Sequence, residues 1–204
     1  MAGKSMSPSC EICVLAGGLS SRMGSDKAGV RIGGKTMLWH IQRAVEPLAL
    51  PFRVIRRDTV PRCGPLGGVL TALRKTRVQA VLFLSCDMPF ITARILERIL
   101  EKGASGGAGV FSQTGEQTGF PFLMRASFGA VVERRIQEGR YSLWGLAGAL
   151  PGKIVRFGTR YRAELLNINT LEDLEVARRY WARKLERTRK CAGTGEMAEF
   201  LTAE

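Results

Sequence analysis

Histidine is almost absent from this sequence: among 204 residues, His40 stands alone. Cysteine is sparse and unpatterned. The five cysteines, at positions 10, 13, 63, 86 and 191, are odd in number and scattered, so they form no disulfide framework and suit a reducing compartment. Cys10 and Cys13 have the C-x-x-C spacing of half a zinc site or a redox pair. No second such pair and no histidine pair completes it, and Cys13 falls within an expected strand, which favours a plain structural role. Long apolar runs are also missing. Even residues 81–84 are far too few to span a bilayer, and the first ten residues lack the apolar centre of a signal peptide. A cytoplasmic protein without membrane association is expected.

Acidic residues are in deficit, with 18 Asp plus Glu against 31 Lys plus Arg and a formal charge of +13, which makes an anionic partner plausible. Seven of the cations fall within residues 178–190, where a solvated helix face is the simplest explanation. Aromatics make up only 7% and are not interleaved with the basic residues, so no nucleic acid is expected. A second basic cluster, Arg53, Arg56, Arg57 and Arg62, leads into a glycine loop and could line a site for a polyanionic small molecule.

What remains is a globular composition, 45% hydrophobic and 24% charged, long enough for one domain with a good-sized core. A folded unit over residues 11–186 is expected, between a disordered N-terminus at 1–10 and a basic, polar tail at 187–204. Residues 11–15 form a short buried strand. Met37, Leu38, Ile41, Ala44, Val45 and Leu48 recur at helical spacing. Residues 52–55 suggest a second strand, and Pro65 opens a helix reaching about Arg74.

The continuous apolar run at 80–84 fits a parallel strand covered on both faces, ending beside Asp87. Helices follow near 91–100 and 128–138. Residues 103–119 suggest a mobile connection, broken by a strand-like Val110-Phe111, and 120–124 a strand held at an edge or bend by Pro121. A strand at 154–157 and a last helix from Thr170 to about Leu185, with Asp173 three residues after Thr170 as a cap, complete the pattern. Alternating strands and helices predict an α/β layered fold with a mostly parallel sheet, in which ligands bind beyond the C-terminal strand ends.

Two adjacent glycine-rich stretches compete to bind phosphate. Residues 29–36, GVRIGGKT, fit the P-loop pattern letter for letter. A P-loop works when a buried strand delivers its glycines to a helix N-terminus, and no such strand precedes residue 29. Val30 and Ile32 alternate with Arg31, which suggests a small ribbon turning at Gly33-Gly34. Residues 15–27, LAGGLSSRMGSDK, do follow a strand, and they carry adjacent glycines with Arg22 and Lys27.

Leu15-Ala-Gly-Gly-x-Ser-x-Arg22-Met-Gly24-x-Asp26-Lys27 resembles the signature loop of the MobA-type molybdenum cofactor guanylyltransferases. Gly64-Pro-Leu-Gly-Gly68, Cys86-Asp-Met-Pro89 and Asn167-Ile-Asn-Thr-x-Glu-Asp173 recur in that family's order. The resemblance implies a three-layer Rossmann-like nucleotidyltransferase fold. It also implies transfer of GMP from GTP to molybdopterin with release of pyrophosphate, Mg2+ as cofactor, and molybdoenzyme maturation proteins as recipients.

By the same resemblance, Leu15, Ala16, Gly17, Gly18, Asp58 and Gly64 would contact the nucleotide. Lys27 and Arg22 would serve its phosphates, Asp87 would hold magnesium, and Asn167 and Asn169 would face the acceptor. Two positions depart from the family. The stretch from Leu48 to Asp58 is too short for the strand-ending asparagine and helix that relatives carry, and Phe120 replaces the histidine before Pro121. Two alternatives stay open: a related enzyme using CTP or another phosphorylated acceptor, and a P-loop GTPase or kinase using Lys35 and Thr36.

Overall fold

A computed structural model describes residues 10–17, 30–60 and 62–192, the last four in backbone only. A six-stranded sheet has the order β4-β1-β5-β7-β6-β8, formed by β1 (Cys10–Leu15), β4 (Phe52–Ile55), β5 (Ala80–Ser85), β6 (Gly109–Thr114), β7 (Gln117–Arg125) and β8 (Lys153–Arg156). Pairing is parallel at β1/β4, β1/β5 and β6/β8 and antiparallel on both sides of β7, so five strands run one way and β7 the other. The expected mostly parallel α/β architecture is present.

The central strands are apolar on both faces because helices cover both. Ile12, Val14, Leu82 and Leu84 pack with α1 (Met37–Val45) and α3 (Ala93–Ala104). Cys13, Leu15, Val81 and Phe83 point the other way, toward α2 (Pro65–Lys75), α4 (Gly129–Gln137) and α5 (Leu143–Ala149). Phe83, Phe122 and Phe111 stack across β5, β7 and β6 with centroids 4.9 and 5.0 Å apart, each fully buried. Removing one of these rings would cost about 3–5 kcal/mol. The alternation also separates the two N-terminal cysteines. Cys10 packs with one cluster and Cys13 with the other, so they cannot ligate a single ion. Burial pushes their thiols up to about 11 and about 12.

Two expectations are corrected in the middle of the chain. Residues 103–119 are not a mobile connection, because 109–114 form β6 and pair with β7 around Gly115, which has φ 58°. Pro121 is not at a sheet edge either, since β7 lies between β5 and β6. The bend is real: pairing jumps from Phe111/Phe122 to Ser112/Gly119, leaving Phe120 and Pro121 bulged out of the ladder, with a cis bond between them. A proline is accommodated there because β5 pairing has already ended at Phe83/Phe122, so no ladder hydrogen bond is lost.

The short helix α5 escaped the sequence pattern, since its GLAGA core carries little periodicity. Ser142 caps it by accepting from the Gly145 N–H at 3.1 Å. At the C-terminal end, α6 (Leu171–Ala192) runs several residues past its expected end near Leu185. Thr170 Oγ1 accepts from the Asp173 N–H, while Asp173 Oδ2 accepts from the N–H groups of Asn169 and Thr170, so the expected cap is formed reciprocally.

β2 (Arg31–Ile32) and β3 (Lys35–Thr36) form a small antiparallel hairpin. Gly33 and Gly34 sit at φ 58° and 81°, the left-handed pair that a tight hairpin turn demands. The hairpin rests on α6: Val30 and Ile32 cluster with Leu174 and Ala177, and His40 lies edge-on to Trp181. This is a hairpin turn, not the strand-to-helix glycine loop of a P-loop. Thr36 caps α1 through the Trp39 N–H, and the Lys35 ammonium lies 5.6 Å from the Trp39 ring centroid.

Candidate nucleotide site

β1 pairs with β4 on one side and β5 on the other, and the chain crosses from one flank to the other between them. Strand ends at such a switch point open a crevice. Leaving β1, Ala16 N–H donates to the Ile55 carbonyl at 2.8 Å and Cys86 N–H donates to the Leu15 carbonyl at 3.1 Å. Leu15, Ala16 and Gly17 are thereby held between the ends of β4 and β5.

Glycine is needed here because of what approaches it. A Cβ on Gly17 would lie 3.1 Å from Asp58 Oδ1 and 3.3 Å from the Arg56 carbonyl oxygen. One on Gly67 would meet the Val60 carbonyl oxygen at 2.7 Å and Asp58 Oδ2 at 3.0 Å. Asp58 is thus wedged between the strand exit and the first turn of α2. Gly64 begins that helix at φ 54° and ψ −145°, a conformation open mainly to glycine, and Pro65 follows at the first helical position. Thr59 N–H donates to Thr71 Oγ1 at 2.8 Å and ties the Asp58 turn to the helix.

Asp58 Oδ1 is buried without a hydrogen-bond partner among the described residues. Loss of hydration raises the pKa of this carboxyl. The residue lines a cleft of about 960 Å³ with Leu15, Gly17, Arg56, Arg57, Arg62 and Gly64. Of the four arginines singled out in the sequence, three therefore face the cleft. Arg53 does not: it pairs with Glu11 at 2.5 Å and donates to the Ala72 carbonyl at 3.1 Å.

A second cleft, of about 1120 Å³, adjoins the first and shares Phe120 with it. Asn167 and Asn169 line this one, together with the β6–β7 turn. Asp87, two residues past β5, is half-buried, and its backbone carbonyl accepts from the Ile168 N–H at 2.9 Å. That bond fastens Asp87 to the segment carrying both asparagines.

Six sequence-selected positions, Leu15, Gly17, Asp58, Gly64, Asn167 and Asn169, line the two adjoining clefts, and Ala16 and Asp87 are bonded into their walls. Gly18, Arg22 and Lys27 lie outside the described residues. Phe120, common to both clefts, was visible in the sequence only as a replaced histidine. No group of three or more His, Cys, Asp or Glu side chains suited to a metal occurs among the described residues. No helix among them is long and apolar enough to cross a membrane.

A glycine-bearing strand end at the switch point of a mostly parallel sheet, beside cationic and carboxylate side chains, defines a nucleotide-binding α/β protein of Rossmann-like fold. The MobA-like NTP transferase domain matches residues 12–150. The chain belongs to this family. It is 27% identical over 181 residues to the molybdenum cofactor guanylyltransferase of Haemophilus influenzae, covering 79% of this chain and 94% of that protein. A Flavobacterium johnsoniae protein named "Probable molybdenum cofactor guanylyltransferase" is 28% identical over 176 residues, covering 79% and 92%. The crystal structure of molybdopterin-guanine dinucleotide biosynthesis protein A from Archaeoglobus fulgidus has the same fold, with a TM-score of 0.70 at 21% identity, covering 85% of this chain and 99% of that one.

Proposed function

We propose that the protein transfers GMP from GTP to molybdopterin, free or molybdenum-bound, and releases pyrophosphate. A terminal phosphate oxygen of the acceptor bonds to the α-phosphorus. The bond from that phosphorus to the oxygen bridging to the β-phosphate breaks, and its electron pair leaves with pyrophosphate. The observation that carries this reading, beside family membership, is the pair of clefts meeting at Phe120, one for each substrate of a two-substrate transfer.

In this reading the exit of β1, with Asp58 and Gly64, receives the nucleotide. Gly18, Arg22 and Lys27, which lie outside the described residues, would serve the nucleotide and its phosphates, as the family resemblance implies. Asn167 and Asn169 orient the acceptor from the second cleft. In-line positioning and neutralisation of spreading charge supply most of the rate in such transfers.

The family uses a divalent metal, and the residues fit magnesium. Magnesium keeps several waters and takes only one or two protein carboxylates plus substrate phosphates, and Asp87 offers a single carboxylate at a strand end. When bound there, the ion would neutralise developing charge on the phosphates. Asp87 itself is held in place by its link to Ile168. Release of pyrophosphate from GTP in the presence of molybdopterin and magnesium tests the proposal. Release with CTP and none with GTP would replace it by the cytidylyl alternative.

A further inference from the structure

The Arg56-Arg57-Asp58 run occupies the nucleotide cleft directly beyond the end of β4. Arg56 and Arg57 are exposed, and neither side chain forms an ion pair among the described residues. Arg53 of the same basic cluster is taken up by Glu11, so Arg56, Arg57 and Arg62 are the members that line the cleft, the first two adjoining Asp58 in sequence. Asp58 lines the same cleft, and its Oδ1 is buried and accepts no hydrogen bond from the described residues.

Donors and an acceptor in one wall do not suit a triphosphate, because a phosphate laid against Asp58 would be repelled. They do suit a base carrying both kinds of group. Guanine presents adjacent acceptors, O6 and N7, on one edge, with N–H donors at N1 and N2 beyond O6. Adenine puts an amino donor where guanine has O6, and cytosine likewise presents an amino donor. A guanidinium fork matches two adjacent acceptors, whereas an ammonium offers only a point charge.

Resting on the guanylyl reading above, we propose that Arg56 and Arg57 determine base specificity by donating to guanine O6 and N7, with Asp58 accepting from its N–H edge.

Equilibrium titration of the full chain with GTP, 7-deaza-GTP, ATP and CTP tests this. The unaltered protein is expected to bind GTP at least about tenfold more tightly than ATP or CTP. It should bind 7-deaza-GTP, which lacks the N7 acceptor, about three- to tenfold more weakly than GTP. In Arg56→Lys/Arg57→Lys, which keeps the charge and removes the forks, both the preference and the 7-deaza penalty should shrink to within about twofold. Retention of both in that variant and in Arg56→Ala/Arg57→Ala would overturn the proposal. So would an equal loss for every nucleotide, which would mean that the arginines attract phosphate. If GTP preference behaves as expected but no pyrophosphate appears with molybdopterin, the base readout stands and the guanylyl reading fails.

Discussion

Asp58 and Asp87 are both carboxylates near strand ends, yet their surroundings differ. Asp58 is wedged against Gly17 and Gly67, its Oδ1 without a hydrogen-bond partner among the described residues, and burial raises its pKa above the ordinary 3.8. A raised carboxyl pKa means that the fold prefers the protonated form. Its contribution to stability is present below the ordinary pKa and is lost as pH rises through the folded value. Asp58→Asn is therefore expected to raise the thermal midpoint at pH 7, with the gain shrinking as pH falls through the raised folded value toward about 4, while weakening GTP binding. Melting curves across pH, paired with titrations, check both directions. Asp87→Ala should lower pyrophosphate release by about a hundredfold or more, as removal of a charge-stabilising group does, and should leave the circular dichroism spectrum unchanged. The chemical type of these residues was legible in the sequence. The burial of Asp58 was not, because it depends on Gly17 and Gly67 arriving from distant parts of the chain.

At the scale of elements, the hairpin at 31–36 illustrates how far a pattern can mislead. Its letters fit a P-loop, but the alternation of Val30, Arg31 and Ile32 around a Gly-Gly turn is a ribbon signal, and the ribbon forms. Gly33 has φ 58°, and a Cβ added there would lie 2.0 Å from Trp181 Nε1. Gly33→Ala should destabilise the protein by more than about 1 kcal/mol, the strain of the left-handed backbone alone, as read from urea unfolding. Nucleotide binding should survive Lys35→Ala and weaken in Lys27→Ala. The reverse pattern would return the phosphate to the P-loop sequence.

His40 joins this hairpin to the body, its Nε2–H donating to the Ile32 carbonyl at 2.8 Å. Burial, chiefly, lowers its pKa. A depressed histidine contributes stability above its unfolded pKa of about 6.5 and loses it as pH falls below that value. Comparing wild type with His40→Gln at pH 7.5 and 5.5 should show the wild-type advantage shrinking at the lower pH. β6 and the β6–β7 turn were harder to read. Glycine, serine and threonine dominate residues 103–119, and what makes 109–114 a strand is pairing with β7 and β8, a contact no local window contains.

For the molecule as a whole, chain order sets the site. β1 is laid down first and ends at the centre of the parallel half of the sheet, and later segments bring Asp58, Asp87 and the two asparagines to its C-terminal end. The alternating run of strands and helices announced this architecture, because apolar strands such as β5 need helices on both faces. The sequence could not announce that the two clefts share Phe120, a residue that sits at the register shift inside β7. The central claim is that these two clefts join GTP to a pterin phosphate. The most direct measurement is pyrophosphate release by the full chain with magnesium and molybdopterin, GTP compared with CTP. Release with GTP, dependent on molybdopterin and much slower with CTP, is the predicted result, and release with CTP alone would contradict the account.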